Sequence, residues 1–437
     1  MNNQKYYVQI LIALIGLCIG YPYGGTVFIA LMIPFVAMMV LSKDINYLPA
    51  LMVHMASETS IYTIILLIMM IVVIRENTNF ADKNIRRIYN TLLFLLPLYF
   101  LIIYQQIVFS GNNIQKAFAS FGIFYLVLWS FPFAYIIGKK FDGNSLRLLL
   151  FTLITVKILT LLGLCGFSRI SGCVNYFIPA YGIYYCYRGQ RSLGLFCLLI
   201  SLPSLLTDED LTFSIFGATL LAILITYCFV KNRVKSLQIL TGLSVFVAII
   251  ALLLYGSFNY QGMNVNSSEH MDFSSWSAFS DRFMFKLFGD RAPFWNSGIM
   301  QILTYHPLFP DPHLPEIFAI AVDGHEIDNS AYGSHNIIIE YLRLFGIIPG
   351  VILCCLLIII SQLGRKYIIS SNSYNNDIPL FISSISSFFI LCLTGTLTVQ
   401  PSYALFTIGL MGVAYAKYNL QNESTLVFKQ SRSSLRR

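Results

Sequence analysis

Charge is what this sequence has least of. Asp, Glu, Lys and Arg together make up 11% of its 437 residues and hydrophobic residues 57%, whereas a soluble domain carries about 25% charged residues. A chain so poor in charge is not built for water. Apolar runs of roughly 17–20 residues recur along it, each long enough to cross a hydrocarbon core of about 30 Å as a helix. Strict two-residue alternation is missing, which argues against a barrel. Lipid offers a bare backbone amide no partner, so helices are the form left to these runs. No small-residue cleavage site follows MNNQKYY, and the first run is expected to be a retained helix, not a removed signal peptide.

Other absences narrow the function. The nine cysteines all lie in apolar runs and none between Ser257 and Phe345, which argues against a disulfide framework or a thiolate zinc site. No Gly-rich phosphate loop occurs, and no HExxH or EF-hand spacing. No internal repeat of the inverted-transporter kind is found, nor a low-complexity linker. The formal charge of +8 comes mostly from Lys and Arg in short segments between apolar runs, the pattern of the positive-inside rule and not of nucleic-acid binding.

The apolar runs place spans near 7–22, 24–42, 59–75, 90–108, 119–138, 146–165, 172–187, 192–206, 211–230, 239–256, 346–363, 380–398 and 401–416. The expected fold is all-α, a polytopic membrane helix bundle of 12 or 13 transmembrane helices with one large periplasmic loop containing short helices. Residues 1–256 form the N-terminal part of the bundle, 257–345 the loop, 346–416 the C-terminal helices and 417–437 a basic cytoplasmic tail. Working back from that tail puts GRKY (364–367), KNRVK (231–235), RGQR (188–191), KK (139–140) and RENTNFADKNIRR (75–87) on the cytoplasmic side, and the acidic TDED (207–210) and the long loop outside. Thirteen spans would then place the N-terminus outside, so either 7–42 or 43–75 is miscounted.

Five of the six histidines (His270, His306, His313, His325 and His335) and Trp276 and Trp295 lie in the 257–345 segment. A mere connector has no use for them, and the aromatic content argues against disorder. WSAFSDRFMFKLFG (276–289) sets Trp276, Phe279, Phe283 and Leu287 at helical spacing, as in a helix lying on the membrane surface. DRAPFWNSGIMQIL (290–303) has Asp290 and Pro293 as helix-start signals. SHNIIIEYLRLFGIIPG (334–350) has Ser334 as candidate N-cap and runs into the next span.

Three stretches, SRISGCVNYFIPAYG (168–182), DRAPFWNSGIMQILTYHPLFP (290–310) and SHNIIIEYLRLFGIIPG (334–350), resemble motifs of the bacterial O-antigen polymerase and O-antigen ligase superfamily of membrane glycosyltransferases. SRISGCVNYFIPAYG (168–182) matches the family's short outer loop, with Arg169 in the arginine position. DRAPFWNSGIMQILTYHPLFP (290–310) matches its arginine before a Trp-containing helix and a Pro-rich stretch, giving Arg291. The His-Asn pair in SHNIIIEYLRLFGIIPG matches the opening of the helix after the loop, giving His335. The resemblance covers about 165–400. It departs where many members carry a Ser/Thr-Arg before the loop, since Ile215 stands in that place. It implies a metal-independent, inverting glycosyltransferase of the inner membrane, without cofactor, whose arginines hold the carrier diphosphate and whose histidine activates the acceptor hydroxyl. The implied partners are undecaprenyl-diphosphate-linked glycan donor and acceptor and the lipid bilayer, with a chain-length regulator as a further candidate and no nucleic acid.

Chemistry alone points to the same residues. Transfer from a lipid diphosphate needs cations on the leaving group, and a guanidinium fits phosphate oxygens while staying charged. Arg169 falls in an outer loop, the side that basic residues avoid, although a surface role would explain it as well; Arg291 has a helix-start pair with Asp290 as its bland reading. A base must be neutral near pH 7. His335 at a helix start meets the positive end of the dipole, which disfavours the imidazolium, and capping or packing is its alternative. His306, Asp311, His313, Asp323, His325, Glu326 and Asp328 crowd together in sequence without metal-ligand spacing, so no metal is expected. Lys157, inside the span 146–165, must face the bundle interior or a cavity. The expected activity is that of an O-antigen polymerase. A ligase moving polymer to lipid A core shares its donor, and a flippase or other transporter would need charges spread along several spans.

Overall fold

The structure, a computed structural model, describes residues 4–55, 59–76, 80–109, 123–165, 169–207, 221–229, 292–305, 307–310, 318–320, 326–328, 336–371, 375–394 and 405–434. These form helices α1 (Gln4–Ile15), α2 (Tyr21–Leu41), α3 (Leu48–Met55), α4 (Thr59–Arg75), α5 (Lys83–Phe109), α6 (Ile123–Leu126), α7 (Ser130–Gly138), α8 (Gly143–Leu161), α9 (Arg169–Tyr187), α10 (Arg191–Thr207), α11 (Ala292–Tyr305), α12 (Ile337–Leu344), α13 (Ile347–Ser370), α14 (Ile378–Thr394) and α15 (Leu410–Ser434). Residues 221–229 are also helical. Strands β1 (Phe318–Ile320) and β2 (Glu326–Asp328) pair antiparallel, Ala319 opposite Ile327, a small addition to the expected all-α fold.

The stretches Gln4–Leu41, Lys83–Val108, Gly143–Leu161 and Ile347–Ser370 are long and apolar enough to cross a membrane. Large apolar side chains face outward on them: Val27 is 71% exposed, Phe94 71% and Phe151 49%. In water such a surface drives association; in lipid it is the contact face.

Gln4–Leu41 is not one rod. A π-helical turn at Gly16–Gly20 joins α1 to α2, the path breaks at Gly25 (φ 51°), and the two legs return on each other. Tyr6 Oη donates to Asp44 at 2.6 Å, which puts the far ends of both legs side by side. The stretches expected as spans at 7–22 and 24–42 fall on these two legs. The next segment, expected to hold one span at 59–75, folds back as well. Lys43 Nζ pairs with Glu76 Oε1 at 2.7 Å, so 43–76 leaves one end of the bundle and comes back to it. It holds two helices where one span was expected. The outward leg, α3, has 8 residues, roughly 12 Å of helix, too short to register as a span. Tyr21 Oη and His54 Nδ1, 2.7 Å apart, fasten its tip to the α1–α2 hairpin.

The same end collects the basic segments. Asp82 caps α5 through the amides of Asn84 (2.8 Å) and Ile85 (3.0 Å), and its other oxygen accepts from Tyr415 (2.9 Å) and Asn419 (3.0 Å) of α15. Asn419 also donates to Tyr135 Oη of α7 at 3.1 Å, and Lys139 sits over the Tyr135 ring. Asp142 caps α8, and Ser145 beside it donates to Asn46 at 2.9 Å. Lys417 pairs with Asp377, and Arg188 donates to Asn376 Oδ1 at 3.1 Å. The described residues of segments 75–87, 139–140, 188–191 and 364–367, expected on one side, therefore meet at one end, together with Lys5 of α1 and Lys417 of α15. KNRVK (231–235) lies outside the described residues.

The core runs through α6, the turn Val127–Trp129 and α7, where Trp129, Phe131 and Phe133 are fully buried, and through α15, which packs on α7 and α13. Close crossing needs small residues. A Cβ on Gly412 would lie 2.4 Å from the Phe131 carbonyl oxygen. On α14, the hydroxyls of buried Ser383, Ser386 and Ser387 donate to the carbonyls of Pro379, Ile382 and Ser383, so each is satisfied within the helix.

Candidate functional site

Arg169 is the first residue of α9, not a loop residue, because the helix starts before the expected residue 172. Nineteen residues on, Arg188 reaches Asn376 at the basic end, so Arg169 begins α9 at the opposite end. Its side chain, and all of Arg291 and His335, lie outside the described residues, as do Ile215 and the expected surface helix 276–289. The elements that follow these residues in sequence are described. α11 opens at Ala292 directly after Arg291, close to the expected 290–303. Asn336, directly after His335, caps α12.

That cap corrects the expectation for Ser334. Asn336 is buried, and its Oδ1 accepts from the amides of Ile338 at 3.0 Å and Ile339 at 3.3 Å, two of the donors a helix start leaves open. Nor does the helix run on into the next span. Gly346 (φ 83°) ends it, and α13 starts at Ile347. Only glycine fits there, because a Cβ would stand 2.5 Å from the Phe309 backbone. The amides of Ile347 and Ile348 donate to the carbonyls of Pro307 (2.7 Å) and Leu308 (3.2 Å), which ties the stretch after α11 to the joint between α12 and α13.

α12 is thereby held inside the bundle. It packs on α6, α11, α13 and α14, and Tyr341 Oη donates to the Phe124 carbonyl at 2.8 Å. Glu340 and Arg343, 1% and 5% exposed, form an ion pair of 2.8 Å, and Arg343 Nε has no hydrogen-bond partner among the described residues. An orphaned donor on a buried cation is costly, and the pair sets two opposite, desolvated charges on α12. Periodicity marks Glu340 and Arg343 as one helix face (i, i+3) but does not say that the face is inside.

Lys157 is 1% exposed and directed into the bundle, as a charge at this depth requires. Glu326 and Asp328 lie on β2; His306, His313, His325, Asp311 and Asp323 lie outside the described residues. Among the described residues no group of three or more His, Cys, Asp or Glu is placed to hold a metal ion. At the basic end, Asp142 accepts from Ser145 N at 2.9 Å, and that backbone bond holds its carboxyl below the usual range.

The chain matches no protein-family model, no curated protein and no solved structure.

Proposed function

We propose that this chain is an O-antigen polymerase, a membrane glycosyltransferase that joins oligosaccharide repeat units carried on undecaprenyl diphosphate at the face of the inner membrane opposite the basic segments. The observation that supports it most is positional. α11 and α12, whose first turns directly follow Arg291 and His335, pack on each other. They adjoin the start of α13 through Pro307 and Leu308, at the end of the bundle where α9 begins with Arg169. α14 touches both α9 and α12 and bridges the two regions.

In this reading the acceptor hydroxyl oxygen attacks the anomeric carbon of the donor sugar while its proton passes to His335. The bond from that carbon to the diphosphate oxygen breaks on the opposite face, inverting the centre, and undecaprenyl diphosphate leaves. Arg169 and Arg291 neutralise the charge that develops on it. The positive end of the α12 dipole beside His335 keeps the imidazole neutral, as a base requires.

The test is replacement of His335 by Ala, and separately by Gln, in a strain lacking the native enzyme, with membrane level checked by immunoblot and product by lipopolysaccharide gel. Single repeat units on the lipid core are the expected product. Full-length polymer at normal protein level would remove His335 as the base, and bare core with polymer left on the carrier would identify a ligase.

A further inference from the structure

α1 and α8 run side by side away from the basic end. Tyr6 of α1 holds Asp44 there, and Asp142 and Ser145 open α8 beside Asn46. One turn further on, the rings of Tyr7 and Phe151 meet edge to face, 5.7 Å between centroids. From that contact Cys18, in the π-helical turn at Gly16–Gly20, lies eleven residues ahead, and Leu161, the last residue of α8, lies ten ahead. Each run is about 15 Å of helix, so Cys18 and the close of α8 reach the same level at the opposite end.

The way α8 ends brings a second thiol to that level. Gly163 takes a left-handed φ of 70°, and the amides of Gly163 and Leu164 donate to the carbonyls of Thr160 (3.0 Å) and Leu159 (2.9 Å). This glycine close reverses the chain. Cys165 folds back onto the last turn, its Sγ 3.3 Å from Thr160 Oγ1, and the Cys18 side chain is in hydrogen-bonding contact with it. We propose that Cys18 and Cys165 are joined by a disulfide when the protein is in its membrane. It is one bridge and not a framework, and no spacing in the sequence marks it. The proposal rests on the sidedness of the reading above, with the basic end inside, and not on the transferase assignment.

With that sidedness the pair faces the oxidising side of the membrane, where disulfides form and persist. The oxidant is itself a disulfide, carried by a protein or a small molecule. Cys18 is half-buried and Cys165 only 4% exposed, which sets the order of the two steps. The Cys18 thiolate attacks the oxidant, forming a mixed disulfide and releasing the oxidant's first sulfur. The Cys165 thiolate then attacks the Cys18 sulfur and expels the second. One S–S bond forms in this chain and one breaks in the oxidant, which takes up two electrons and the two thiol protons. Cys165 stands four positions before Arg169, so the bond anchors the chain entering α9 to the α1–α2 hairpin. A cross-link between residues so far apart in sequence also removes freedom from the unfolded chain.

The experiment is thiol trapping of the full-length protein. Cells are lysed in denaturant with N-ethylmaleimide, which blocks every free thiol. Half of the sample is then reduced, and a maleimide-linked polyethylene glycol counts the newly freed thiols as steps on a gel. The wild type should gain two labels on reduction, and Cys18→Ser and Cys165→Ser should each gain none. No gain in the wild type, or a gain that either single variant keeps, would overturn the proposal. Reduced, purified protein treated with oxidised glutathione then locates the error. Two labels gained there but not in cells would place this end on the reducing side, and so would count against the sidedness. No gain in either sample would mean that the two thiols do not meet. Transfer from lipid-linked repeat units is read separately, so neither result bears on the transferase assignment.

Discussion

Among single residues, Asn336 and Glu340 separate structure from chemistry most cleanly. Asn336→Ala removes a buried cap and should lower stability by about 1 kcal/mol, read as a fall in Tm. His335→Ala should leave Tm in place and cost ~10²–10⁴-fold in rate. A large Tm loss in His335→Ala would mean that His335, too, is structural. Glu340→Gln leaves Arg343 buried without its counter-ion, a change that typically costs about 3–5 kcal/mol. Glu340→Leu with Arg343→Met should recover most of that; a double variant as unstable as the single one would show that the pair does more than neutralise itself. Asp142 gives a pH test. Its folded carboxyl titrates below its unfolded value, held down mainly by the Ser145 amide, so its contribution is present above the unfolded value and is lost as pH falls through the folded one. Asp142→Asn should flatten that part of the acid limb of stability against pH, and an unchanged limb would assign it to other carboxylates. The residue pattern placed a helix start next to His335. It did not show that Asn336, rather than Ser334, closes the helix, because Ser and Asn are equally good caps and only the path of the chain decides between them.

For helices, hydropathy located the long ones well, since about 20 apolar residues have one physical use. It failed where length or continuity was not the governing quantity. α3 has 8 residues and is held by neighbours, not by its own apolar length. The expected continuous helix over 334–350 breaks at Gly346 because residues 307–309 occupy the space beside it, a contact between segments that no local pattern encodes. Close packing is a second such property. Gly412→Leu would drive a side chain into the Phe131 carbonyl and should destabilise by at least ~1–3 kcal/mol, whereas Gly143→Ala, where nothing lies within 4 Å, should change Tm little. Equal effects of the two would show that the approach of α15 to α7 is not tight.

For the whole molecule, the gathering of the basic segments at one end was legible in the charge pattern. Segments 75–87, 139–140, 188–191 and 364–367 meet at one end, and the pairs Tyr6–Asp44 and Lys43–Glu76 bring the first helices back to that end. What the charges did not reveal was their polar wiring, through Asp82, Asn376 and Asn419, since hydrogen bonds between residues so far apart in sequence leave no trace in local spacing. In the proposed reading a lipid-diphosphate glycan reacts at the opposite end, and purified protein offers the most direct test. Given undecaprenyl-diphosphate-linked repeat units in liposomes, the wild type should make lipid-linked oligomers and release undecaprenyl diphosphate, while Arg169→Ala, Arg291→Ala and His335→Ala should lose nearly all of it. Absence of transfer by the folded wild type, or equal product from the three variants, would contradict the assignment.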